Sequence, residues 1–135
     1  MNKKLRDELV HHAIAAKEHS YSPYSKFRVG AAVLTDDQVI FSGSNVENAS
    51  YGLAICAERN AIFQAAHAGK RKIVAVAVSS DEKGFITPCG ACRQVISEFA
   101  NGDTEIVLVT ADGKTKSVQF EKLFPTPPKL EKLKK

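Results

Sequence analysis

Leu5, Leu9, Ala13 and Ala16 recur three or four places apart near the N-terminus, the spacing that gathers side chains on one helical face, so a first helix is predicted there. It should fade before Ser22-Pro23, because the residue ahead of a proline is steered out of the helical region. Residues 27–35 and 39–44 are apolar, β-branched runs flanking Asp36-Asp37, and read as a β-hairpin. Residues 56–68 are rich in helix formers and stop at Gly69, a residue suited to the left-handed turn after a helix. Residues 73–78, Ile-Val-Ala-Val-Ala-Val, form an unbroken apolar run, as expected of a strand covered on both faces. Residues 92–100 then read as an amphipathic helix and residues 105–110 as another buried strand. Such alternation predicts a sheet with helices on both faces. Residues 114–120 are read as an edge strand, and residues 121–124 as a short last turn of helix.

With 135 residues, 44% hydrophobic and 25% charged, the chain has the size of one domain that buries a core without disulfides. No internal repeat is visible. The compositional break is Pro125-Thr126-Pro127-Pro128, which divides a body, residues 1–128, from a lysine-rich tail, residues 129–135. The formal charge is +4, but the tail holds four lysines against one glutamate and carries +3 of it. The body is left near neutrality, which argues against a phosphate-tracking surface and so against nucleic acid as a partner. The tail is read as a solvated end. No stretch approaches the roughly 18 to 20 apolar residues that span a bilayer, and residues 1–9 are charged where a secretory signal turns apolar. No membrane partner is expected, and the expected location is cytoplasmic.

Three cysteines are present, Cys56, Cys89 and Cys92. An odd count without an export signal points away from a disulfide framework and towards metal or redox chemistry. Cys56-Ala57-Glu58 opens one predicted helix and Pro88-Cys89-Gly90-Ala91-Cys92 opens another. Thiols at helix N-termini face free N–H groups and the positive end of the dipole, which favour thiolate. Three thiolates supply three zinc ligands, and a catalytic zinc site keeps its fourth position for water. His11, His12, His19 and His67 are read as ordinary residues of the first helix and of the helix after Cys56, not as ligands. Glu58, two places from Cys56, is positioned to move protons without ligating. Taken singly, these signals are ambiguous. A glutamate in a first helical turn is a common favourable dipole pairing, and Cys89-Gly90-Ala91-Cys92 has the spacing of a thioredoxin-like redox pair.

Joined, Cys56-Ala57-Glu58-Arg59 and Pro88-Cys89-Gly90-Ala91-Cys92-Arg93-Gln94 resemble the zinc-dependent cytidine deaminases, whose signature is His-or-Cys-x-Glu followed by Pro-Cys-x-x-Cys. Residues 24–32, Tyr-Ser-Lys-Phe-Arg-Val-Gly-Ala-Ala, and residues 45–51, Asn-Val-Glu-Asn-Ala-Ser-Tyr, are similar to the small members of that family with three cysteine ligands. The resemblance covers essentially the whole body. It implies a three-layer α/β/α sandwich with a mixed sheet, Zn²⁺ as cofactor on Cys56, Cys89 and Cys92, and Glu58 as the proton shuttle. It also implies that Asn45 and Glu47 hydrogen-bond the ribose hydroxyls of a small nucleoside and that Phe27 lines the base pocket. Arg59 would hydrogen-bond ligand sulfurs and offset part of their charge. The implied reaction is hydrolysis of cytidine, and of deoxycytidine with it, to the uridine product and ammonia, as in pyrimidine salvage, by a homotetramer.

One departure stands out. Related chains carry a phenylalanine after the proline near the C-terminus that completes a neighbouring subunit's pocket, and residues 124–129, Phe-Pro-Thr-Pro-Pro-Lys, have no aromatic after Pro125. Three rivals share the scaffold: a deaminase of another aminopyrimidine nucleoside such as blasticidin S, a nucleic-acid deaminase, and an inactive zinc module. Asn45-Val46-Glu47-Asn48 disfavours the first, the near-neutral body the second, and the intact Glu58 the third.

Overall fold

The computed structural model describes residues 1–128; the sequence-defined tail, residues 129–135, lies outside the described residues. The first helix, α1 (Lys3–Lys17), is capped by Asn2, whose side chain accepts from the Leu5 amide at 2.8 Å. It ends early enough that His19 falls in the turn beyond it rather than on the helix.

The hairpin consists of β1 (Val29–Thr35) and β2 (Ile40–Ser44), paired antiparallel. Its turn carries Gln38 at φ 67° and is closed by the Thr35 amide donating to the Val39 carbonyl at 3.0 Å. Phe27 and Arg28, expected within the strand, precede it. The Arg28 amide donates to the Asp81 carboxylate at 2.9 Å and the Asp81 amide to the Arg28 carbonyl at 3.2 Å, while the Phe27 amide donates to the Ser25 hydroxyl and the Phe27 carbonyl accepts from the Asn45 side chain, both at 3.0 Å.

After a single 3₁₀ turn, Tyr51–Leu53, come α2 (Ala57–His67), β3 (Ile73–Ser80), α3 (Gly90–Phe99), β4 (Ala100–Val109), β5 (Thr115–Gln119) and the short α4 (Phe120–Leu123). Gly69 has φ 85° and follows α2 as expected. The sheet order is β2-β1-β3-β4-β5. β3 and β4 are parallel and every other pair is antiparallel, which makes the sheet mixed. β4 begins five residues before the expected start. Asn101-Gly102-Asp103 lies between the expected helix and the expected strand, and forms an irregularity inside β4, where Ile73 pairs with Ala100 and Ala75 with Glu105. Thr104, buried there, holds the irregularity together by accepting from the Asn101 amide at 3.0 Å and donating to the Ile73 carbonyl at 3.1 Å.

Alternation along the strands divides the interior into two cores. Ala32, Leu34, Ala75, Ala77, Val107 and Val109 face Leu9 and Ala13 of α1. Ala31, Val33, Val76, Val78, Ile106 and Leu108 face Ala61 and Ile62 of α2, Ile96 of α3 and Phe120 of α4. This is the α/β/α sandwich. A Cβ on Gly43 would lie 2.5 Å from the Ala61 amide nitrogen, so the bare backbone at Gly43 lets α2 sit directly on edge strand β2. Asn60 and Gln64 of α2 then donate to the Ser44 and Ser42 carbonyls at 2.8 and 2.7 Å, occupying edge acceptors that would otherwise be open.

Candidate metal and catalytic site

Two helices of the second core, α2 and α3, each begin one residue after a cysteine. Cys56 is the N-cap of α2 and Cys89 the N-cap of α3, where its sulfur accepts from the Cys92 amide at 3.5 Å. Cys92, one turn into α3, is fully buried, while Cys56 is half-buried and Cys89 exposed. The fold brings all three together: Cys56 and Cys89 Sγ are 3.8 Å apart, Cys89 and Cys92 Sγ 3.4 Å, and all three lie within 4.8 Å of one another. Three sulfurs on a tetrahedral zinc, each at ~2.3 Å, would stand about 3.8 Å apart. The donor set therefore fits zinc in both softness and spacing.

A guanidinium beside the sulfurs favours the thiolate form that a metal needs. Arg59 Nη2 donates to Cys56 Sγ at 3.5 Å, and its buried Nε has no partner. The Cys56 thiol is held at about 5 by a hydrogen bond from the Cys92 thiol and by further ones from Arg59 and Cys89, against the opposing effect of burial. The same hydrogen bond, with burial and the nearby Glu58, pushes Cys92 upward.

Glu58 sits in the first turn of α2 with only 5% of its surface exposed. Burial raises its carboxyl to about 7, with the charge at Cys56 adding to the effect. A carboxyl poised there can both accept and donate a proton near neutral pH.

Asn45, Glu47 and Phe27 form a second group, joined by hydrogen bonds. The segment carrying Asn45 and Glu47 is laced between Tyr21 and Ile55 by four backbone hydrogen bonds: Tyr21 N to Asn45 O, Glu47 N to Tyr21 O, and the reciprocal pair between Val46 and Ile55. Ile55 is the residue ahead of Cys56, so this lacing fixes the second group relative to the first. Asn45 Oδ1 accepts from the Val29 amide at 3.0 Å and from the Ser20 hydroxyl, and its Nδ2 donates to the Phe27 carbonyl at 3.0 Å. That bond uses one of the two N–H groups on Nδ2.

Glu47 accepts from the Tyr24 and Ser25 amides at 3.0 and 3.2 Å and from the Ser25 hydroxyl. The Ser25 hydroxyl bond is the largest of the effects that hold the Glu47 carboxyl below its usual range. Glu47 lines an open hollow of about 360 Å³ with Tyr24, Ser25, Asn48, Tyr51 and Ala54. Phe27 is half-buried, and its amide donates to the Ser25 hydroxyl at 3.0 Å.

Two contributors are not evident in the sequence reading. Ser25 orients Glu47, and no spacing rule links residues 25 and 47. Arg93 follows Cys92 directly and its side chain reaches back to the residues ahead of Cys89. Its place in the Pro-Cys-x-x-Cys-Arg-Gln run was the available signal. Among the described residues the group of side chains that could hold a metal ion is Cys56, Cys89 and Cys92.

Several known proteins are similar to the chain in sequence and in structure. A cytidine deaminase of Halalkalibacterium halodurans is 47% identical over 120 residues, spanning 89% of this chain and 91% of that one. One from Sporosarcina psychrophila is 44% identical over 119 residues, 88% of each chain. The crystal structure of cytidine deaminase from Burkholderia pseudomallei superposes with a TM-score of 0.87 at 45% identity, covering 95% of this chain and 100% of that one. The family model of the cytidine and deoxycytidylate deaminase zinc-binding region matches residues 3–110. With its sheet, its three clustered sulfurs and its buried carboxylate, the chain belongs to this zinc-dependent deaminase family.

Proposed function

We propose that the chain hydrolyses cytidine, and 2'-deoxycytidine with it, to uridine and deoxyuridine with release of ammonia. The observation that carries this reading is the placement of a buried Glu58 on the same helix turn as one of three clustered sulfurs. The relatives' names as cytidine deaminases support the choice of substrate.

In this reading Cys56, Cys89 and Cys92 hold the zinc. When bound, the metal supplies the Lewis acidity that makes water nucleophilic near neutral pH. Glu58, with its carboxyl raised to about 7, takes the proton from the attacking water and returns protons to the ring nitrogen and the departing amine. Arg59 offsets thiolate charge through its bond to Cys56. The free N–H of Asn45 and the carboxylate of Glu47 bind the sugar hydroxyls, and Phe27 packs on the pyrimidine face. Sugar binding holds the reacting carbon in place, so cytidine is a far better substrate than free cytosine.

The assembly in this reading is a homotetramer working in the cytoplasm in pyrimidine salvage, with no nucleic-acid or membrane partner. Among the described residues no helix is long and apolar enough to cross a membrane. The test is a substrate panel of cytidine, deoxycytidine, cytosine and a cytosine-containing oligonucleotide, with ammonia as the readout. Turnover confined to the two nucleosides supports the proposal, and turnover confined to the oligonucleotide overturns it.

A further inference from the structure

Cys56 and Cys92 are held by their surroundings: Cys56 is tied through Ile55 and Arg59, and Cys92 is buried within α3. Cys89 is the exposed member, at the end of the connection from β3 to α3, where Phe85, Ile86 and Thr87 are exposed too. Its position depends on whatever fixes the residues before it.

Arg93 makes that connection. Its Nε donates to the Pro88 carbonyl at 2.8 Å and its Nη2 to the Thr87 hydroxyl at 2.8 Å, while Nη1 reaches the Leu123 carbonyl at 2.7 Å. Its backbone amide donates to the Cys89 carbonyl at 2.9 Å. None of the three side-chain partners is a carboxylate, so the planar fork of the guanidinium is used here for backbone and hydroxyl geometry. Two partners are the residues immediately ahead of Cys89. The third is the carbonyl of the last residue of α4, a helix end with no intrahelical donor to spare.

We propose that Arg93 is a positioning residue for the metal site: it clamps Thr87-Pro88 to the end of α4 and so fixes Cys89 as a zinc ligand. The proposal rests on the reading of Cys89 as a ligand. A side chain that supports a ligand from behind sets metal retention, with effects on the order of 10- to 100-fold when it is removed.

The experiment is stopped-flow transfer of zinc from the holoenzyme to a chromogenic chelator, alongside urea unfolding of each variant. Arg93→Ala should release zinc 10- to 100-fold faster on that order, and Thr87→Val, which removes one of the three partners, should release it faster to a smaller degree. Arg6→Ala breaks an ion pair with Glu105 on the α1 side of the sheet and serves as the control for general loosening. It should transfer zinc at the wild-type rate. Wild-type transfer in Arg93→Ala, or equal acceleration in Arg6→Ala, overturns the proposal. If Arg93→Ala fails to fold, Thr87→Val decides, and a wild-type rate in that variant overturns it. Cys89→Ala separates the two levels: full zinc content in that variant refutes the ligand reading itself, whereas zinc loss there with unchanged Arg93→Ala kinetics refutes only the clamp.

Discussion

Replacing Asn45 by alanine tests a point at which architecture and ligand binding share one side chain. The substitution deletes three hydrogen bonds within the protein: two accepted by Oδ1, from Val29 N and Ser20 Oγ, and one donated by Nδ2 to the Phe27 carbonyl. At about 1 kcal/mol net for each bond, with an added cost for polar groups left without partners, the loss should be about 2 to 4 kcal/mol of stability. The remaining N–H serves the sugar, and its removal should lower kcat/KM for cytidine by roughly ten- to a hundred-fold. The assay pairs urea denaturation at fixed protein concentration with steady-state kinetics on cytidine and cytosine. Zinc content should not change. A variant within ~0.5 kcal/mol of wild type, the usual range for surface substitutions, would show that these hydrogen bonds do not hold the segment. An undiminished preference for cytidine over cytosine would refute the sugar contact.

Other substitutions separate the remaining roles. Glu58→Gln should keep zinc and lose several orders of magnitude in turnover, because only the proton shuttle is removed; metal analysis with single-turnover kinetics checks it. Arg59→Gln should keep zinc but move the activity profile to higher pH, since thiolate charge left uncompensated disfavours deprotonation of the attacking water; an unchanged profile refutes the role. Asp81 is held at about 2, chiefly by its hydrogen bond from Arg28. Its folded value lies below the ordinary 3.8, so its contribution is present above pH 3.8 and is lost as pH falls through about 2. Asp81→Asn should therefore lose about 1 to 2 kcal/mol at pH 7, after allowance for solvent screening, with the gap to wild type narrowing below pH 4 in urea titrations.

What the sequence makes legible is the chemistry held in short runs. Cys56-Ala57-Glu58 and Pro88-Cys89-Gly90-Ala91-Cys92 carry their spacing with them, and helix N-termini place the thiols before any tertiary contact is known. The apolar runs at 73–78 and 105–110 likewise announce strands covered on both faces. What is not legible depends on contacts between distant segments. Phe27 and Arg28 look like strand residues until Asn45, 18 positions away from Phe27, takes the Phe27 carbonyl and Asp81, 53 positions away from Arg28, takes the Arg28 backbone. Asn101-Gly102-Asp103 has loop composition, and only the pairing with β3 and the buried Thr104 hold it within a strand. Asn45 reads as a ligand contact, yet most of its hydrogen-bonding capacity is spent on Val29, Ser20 and Phe27. The Ser25 contact to Glu47 and the Arg93 contact to Leu123 join groups 22 and 30 residues apart, and no local pattern encodes them.

The most direct test of the catalytic assignment is the ultraviolet absorbance of cytidine after addition of purified, zinc-loaded protein, with zinc content and ammonia release measured on the same sample. Steady loss of absorbance with one ammonia per cytidine consumed, abolished together with zinc binding in Cys92→Ala, is the expected result. Unchanged absorbance at about one zinc per chain, or full turnover after the metal has been stripped, would contradict it.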